Sequence, residues 1–225
     1  MPAIRGGNLV REVAAAPCTR RAVHSRFRQE ALDLVAREKL LDPAYSYRIV
    51  PLDAPPNDAL YVGGERLDAL RLIPESGRLT AIAAGVCTLG PELERCTNKL
   101  WAERRMSFAL ALDEVGNDLL FALSRRLQDR IVAEARQHGL STAGELRAGD
   151  PGLPLRAQAV VHRLSGGDDI GIRVTECQVL HPLKSISMLL GIGVDLPPAR
   201  WSRCDDCPSV AKCRMSGRIA APALV

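Results

Sequence analysis

Apolar and polar residues follow one another along this chain in two rhythms, and the changes of rhythm mark its elements. Val23, Phe27, Ala31, Leu34, Val35 and Leu41 recur at helical spacing, which predicts a helix over Arg20–Leu41 that Asp42-Pro43 ends. A short strand around Tyr47–Leu52 and strand-like pieces over Ala59–Gly64 and Arg66–Ile73 follow. Leu79–Cys87 is a run of small and apolar residues and predicts a buried strand. Thr88-Leu89-Gly90-Pro91 opens a helix, with the proline in the first turn, where its missing N–H is tolerated. Ser107–Gly139 is the longest periodic segment. Its apolar residues, among them Leu110, Val115, Leu119, Leu120, Leu123, Leu127, Ile131 and Ala135, lie three and four apart, and Gly139 suits a C-cap.

The second half is more broken. Ser141–Pro154 gathers Gly, Asp and Pro and predicts a loop, Leu155–Leu164 a helix, and Gly166–Asp169 a turn. Ile170–Val174 alternates as a strand does. Glu176–Lys184 links it to a buried strand over Ile186–Val194, which would pair with its predecessor. Residues 1–19 are polar and aperiodic and predict a flexible arm, 20–200 a core domain, and 201–225 a Cys-rich tail.

Composition narrows the function classes. A chain of 225 residues with 47% hydrophobic and 25% charged side chains buries a substantial core, which excludes wholesale disorder. Only 4% of residues are aromatic, against stacking-based RNA or single-strand binders. The net charge of +4 is dispersed among acids, as in Arg125–Arg130, and no nucleic-acid motif accompanies it, so no nucleic-acid partner is expected. No apolar stretch approaches the roughly 20 residues that span a bilayer, and Arg5 and Arg11 interrupt any secretory-signal order. A cytoplasmic protein without a membrane partner is the expectation. Thiols stay reduced in that compartment, so a cysteine cluster reads as metal-binding or redox-active.

Such a cluster exists. Cys204 and Cys207 are two residues apart, so both thiolates can reach one ion or cluster, and Cys213 adds a third ligand. Cys177, Cys87, Cys96, His181, solvent or a partner would complete the set. The alternatives are reduced, partly buried thiols or one redox dithiol. His24 and His162, on helical segments, read as surface or capping residues, and His138 complements a helix C-terminus. The remaining candidate site is a pair of loops, Arg147–Pro154 and Thr175–Ser187. There Arg147 would hold a carboxylate bidentately, while Gly149 and Gly152 would let a ligand approach the backbone. Glu176 would accept from an ammonium and Lys184 would meet an anion.

Four segments together carry a family resemblance: Ala84–Glu94 (AGVCTLGPELE), Ala111–Gly116 (ALDEVG), Arg147–Leu155, and Thr175–Ser187 (TECQVLHPLKSIS). In this order and spacing they resemble the activation domain of cobalamin-dependent methionine synthase, particularly its short free-standing relatives. The resemblance covers about residues 60–195. It implies an α+β, C-shaped domain with a twisted antiparallel β-sheet flanked by helices, here followed by the Cys-rich tail. It also implies S-adenosylmethionine binding and docking over a corrinoid, the cobalamin being carried by a partner protein or methyltransferase. In that family one electron from a flavodoxin- or ferredoxin-like donor reduces Co(II) to Co(I), which the sulfonium methyl traps as methyl-Co(III).

By the same resemblance Arg147 would clamp the methionine carboxylate, and Gly152 matches the glycine that follows it in the family's element. The family's tyrosine is missing, Leu153 following Gly152, and Phe121 stands where relatives tend to carry a glutamate suited to the ligand's ammonium. The expected function is an accessory protein that reactivates or services a corrinoid methyltransferase, its tail cysteines holding an iron–sulfur cluster or zinc. The alternatives are a scaffold that keeps the fold without S-adenosylmethionine, or a small thiol redox protein.

Overall fold

A computed structural model of the chain describes residues 6–16 and 22–198. Its helices are α1 (Gly6–Ala15), α2 (Ala22–Arg37), α3 (Glu92–Ala102), α4 (Met106–Gln137) and α5 (Gln158–Ser165). Its strands are β1 (Ala44–Pro51), β2 (Leu60–Val62), β3 (Glu65–Leu67), β4 (Arg78–Thr88), β5 (Ser141–Leu146), β6 (Arg173–Val174), β7 (Leu180–His181) and β8 (Ser185–Val194). Cys204, Cys207 and Cys213 of the expected tail lie outside the described residues.

The main sheet is antiparallel, in the order β1-β4-β8-β5. Its central strands, β4 and β8, are buried on both faces, which is why their sequences run apolar without alternating. On one face Ala81, Ala83, Cys87, Met188, Leu190 and Ile192 pack beneath α4, where the core extends to buried residues of α1, α2 and α3. On the other, Ile82, Ala84 and Leu189 share a second core with the β2–β3 hairpin, a 3-10 turn at Leu70–Leu72, and α5. Val86 meets Leu180 of the small β6–β7 ribbon, and Ile172 just before β6, on that face. The sheet therefore carries a helical layer on one side and a mixed layer on the other, and the α+β class expected from the sequence is the one observed.

Four sequence expectations change. Residues 1–19, expected to be a flexible arm, include α1, whose Leu9 and Val13 are buried against the helical layer. Two buried positions on a ten-residue helix are too few to show a period. Ser141–Leu146, expected to be a loop, is the edge strand β5, its alternation broken by Gly144 at φ +68° and by a register shift between Ala143 and Leu146. The strand ending at Val194 pairs with β4 and β5, not with the segment before it, which forms the two-residue strand β6 and pairs with β7. His162 is buried rather than at the surface, its Nε2 2.8 Å from the Ile172 carbonyl oxygen. Among the described residues, no helix is long and apolar enough to cross a membrane.

Candidate functional site

One stripe of α4 organises the candidate site. Asp113, Asn117, Phe121 and Ser124 follow one another at helical spacing, so they share a face about 17 Å long. Two cations reach this stripe, one near each end: Lys184 from the segment before β8, and Arg147 from the end of β5.

The Lys184 end is a closed structural joint. The ammonium donates to Asp113 Oδ1 at 2.6 Å and to Asn117 Oδ1 at 2.8 Å. Its stem crosses Gly116, where a Cβ would come within 3.1 Å of Lys184 Cε and 2.9 Å of Leu93 Cδ2. The Lys184 carbonyl accepts from the Leu89 N–H at 2.9 Å, Ser185 Oγ donates to Thr88 Oγ1, and the Leu183 N–H donates to Glu94 Oε2. Three of the family-like segments, 84–94, 111–116 and 175–187, therefore meet at one corner. In the structure the Lys184 ammonium is paired with the chain's own Asp113.

The Arg147 end is more open chemically. Arg147 Nε and one terminal nitrogen both lie 2.9 Å from Glu145 Oε1, and that nitrogen also donates to Ser124 Oγ at 2.9 Å. The guanidinium carbon sits 5.6 Å from the centroid of Phe121, at the edge of cation–π range. Phe121, noted in the sequence for standing where a glutamate would suit a ligand, is thus beside the candidate arginine. Glu145 and Ser124 were not anticipated. The Glu-x-Arg spacing would have revealed the pair had residues 141–146 been read as a strand, because residues two apart share a face.

Arg147 opens a loop held by its own backbone bonds. The Arg147 N–H donates to Asp150 Oδ2 at 2.9 Å, and the Gly149 N–H donates to the Leu153 carbonyl at 2.9 Å. Gly149 and Gly152 are exposed, both at φ +94°, while Leu153 is fully buried in the second core. A Cβ on Gly152 would lie 2.7 Å from Arg71 Cδ. In the structure the side chain that this glycine lets approach closely is Arg71.

The second candidate loop is tied to α5. Gln178 Oε1 accepts from the Ala159 N–H at the start of α5, 3.2 Å away. Glu176 and Cys177 occupy the exposed tip of the β6–β7 turn, closed by the Gln178 N–H to the Thr175 carbonyl at 2.9 Å. Arg147 and Gly152 belong to one loop, whereas Lys184 sits on Asp113 and Asn117 near the other end of the α4 stripe and Glu176 stands in the β6–β7 turn.

The described cysteines form no centre. Cys87 is wholly buried, and that burial pushes its thiol up to about 12 despite the opposing charge of Arg147. It is a protonated core side chain. Burial also raises Cys96, on α3. Among the described residues, no three His, Cys, Asp or Glu side chains are grouped as a metal ion requires.

Comparison with known proteins places this geometry in a fold. The chain matches no protein-family model and none of the curated proteins. Among solved structures it is similar to a crystal structure of the MetH reactivation domain bound to AdoHcy. The TM-score is 0.61, the identity 15%, and the match covers 84% of this chain and 73% of that one. The chain shares that domain's fold.

Proposed function

We propose that this protein holds an S-adenosylmethionine-class ligand at the Arg147 corner of α4 and β5 and services a corrinoid methyltransferase. The observation that carries this is Arg147, largely shielded from water against α4 in a chain with the fold of a domain solved with AdoHcy bound. The residues at this corner suit the amino-acid end of such a ligand. A guanidinium binds a carboxylate through charge-assisted bonds, Ser124 adds a hydroxyl, and the exposed glycines leave the loop backbone accessible. When bound, S-adenosylmethionine supplies an electrophilic sulfonium methyl. Arg147 then binds and orients, and α4 forms the wall.

The corrinoid is carried by the partner in this proposal, and a flavodoxin- or ferredoxin-like protein, or the chain's own tail, supplies the electron. Cys204, Cys207 and Cys213 hold an iron–sulfur cluster or zinc on the strength of their spacing, with Cys177 as a further ligand because it is exposed. Metal analysis of anaerobically purified protein tests this part. Bound iron or zinc that is lost on Cys204→Ser supports it, and protein free of both metals contradicts it.

Calorimetric titration with S-adenosylmethionine and S-adenosylhomocysteine (AdoHcy) tests the main reading. A saturable one-to-one heat that weakens at least about tenfold in Arg147→Met is expected. Absence of heat and of thermal stabilisation at millimolar ligand favours the second reading, a scaffold that has kept the fold without the ligand. Buried Leu153 and the ring of Phe121 are the features on its side.

A further inference from the structure

We infer that Glu145 is the counter-charge for the ligand's ammonium and that, without ligand, it occupies the Arg147 fork, so the site selects a zwitterionic amino-acid end over a bare carboxylate. The inference rests on the function proposed above and assigns its specificity. Glu145 and Arg147 lie two residues apart, one oxygen of the acid 2.9 Å from both guanidinium nitrogens that face it. Their side chains are only 17% and 16% exposed. Charges so shielded are costly to leave unpaired.

That cost decides which ligand fits. A carboxylate arriving alone competes with Glu145 for Arg147 and sets two negative groups side by side at one guanidinium. A ligand bringing an ammonium with its carboxylate exchanges partners evenly, Arg147 passing to the new carboxylate and Glu145 to the new ammonium. The neighbouring wall of α4 supplies the Phe121 ring and the neutral Ser124 hydroxyl to this fork. Asp150 is turned toward the backbone of its own loop, where it accepts from the Arg147 N–H. Glu145 is the acid placed for the exchange, and unbalanced ligands are rejected by the charge they strand rather than by shape.

The test compares AdoHcy with its deaminated analogue, in which hydrogen replaces the α-amino group, in calorimetric titrations of the full chain. Wild type is expected to prefer AdoHcy by at least about tenfold. In Glu145→Gln that ratio falls toward one, because Arg147 then accepts a lone carboxylate freely, and in Glu145→Asp, which keeps the charge, the preference persists. Equal affinity of wild type for the two ligands overturns the inference without any variant. So does a Glu145→Gln protein that keeps the wild-type ratio. Failure of wild type to bind AdoHcy at all overturns the proposed function itself, whereas binding with an unchanged ratio removes only the role of Glu145.

Discussion

Cys87 and Cys177 occupy opposite environments. Cys87 is sealed between β4 and α4, whereas Cys177 stands at the tip of an exposed turn. Site-resolved iodoacetamide labelling of native protein at pH 8 is expected to modify Cys177 while leaving Cys87 intact until the chain is denatured. Cys87 also makes a pH prediction. The unfolded thiol ionises near 9.0 and the folded one near 12, so the folded state holds a proton that the unfolded state releases between those values. The stabilisation is complete below pH 9 and is lost as pH rises toward 12, by up to about 1.4 kcal/mol per pH unit. Urea titrations across that range should show a shallower decline in Cys87→Ala than in wild type. An equal decline contradicts this account of the thiol.

At the same scale, the sequence showed Arg147 and Phe121 but not their relation. An arginine opening a glycine-containing loop is visible in the text, and a phenylalanine at the 121 position is visible once the segments are aligned in order. That the two touch, and that Glu145 completes the group, depends on how the end of β5 docks on α4. The period of neither element reports this. Lys184 was legible as a residue but not in its role, because Asp113, which it meets, lies 71 positions away.

Among elements, the joint of β8, α4 and β4 makes the clearest stability prediction. The Lys184 side chain is 12% exposed and has Asp113 as a charged partner, its side chain 44% exposed. Asp113→Asn is expected to lower unfolding stability by about 1–2 kcal/mol, since it leaves a shielded cation with neutral partners only. Gly116→Ala should cost about 1–3 kcal/mol by pushing Leu93 and Lys184 aside. Chemical denaturation measures both, and values within about 0.5 kcal/mol of wild type would show that the joint is incidental. The long helix α4 and strands β4 and β8 were legible because a long period or an unbroken apolar run survives local noise. The edge strand β5 was hidden by a glycine and a register shift, and β6 and β7 are each only two residues long, too short for any pattern.

For the molecule as a whole, the N-terminal helix is part of the core rather than an appendage. Leu9 and Val13 are buried, Glu12 bonds Arg126 of α4 at 2.7 Å, and Arg28 of α2 donates to the Val13 carbonyl while pairing with Asp118. Deleting residues 1–16 is expected to cost about 3–5 kcal/mol, from the lost burial and the disturbed Arg28–Asp118 pair, as read in urea titrations. A truncated chain as stable as the full one would mean that α1 contributes nothing to the fold.

At this scale the central claim has its most direct test, because the proposed site fixes where a ligand must act as well as whether one binds. Hydrogen–deuterium exchange of the full chain, with and without saturating AdoHcy, maps that place. The account predicts slower exchange over β5 and the Arg147–Pro154 loop, together with the Phe121–Ser124 turn of α4, and little change at the β1 edge or the β6–β7 turn. No protection anywhere, or protection that avoids the Arg147 corner, would contradict it.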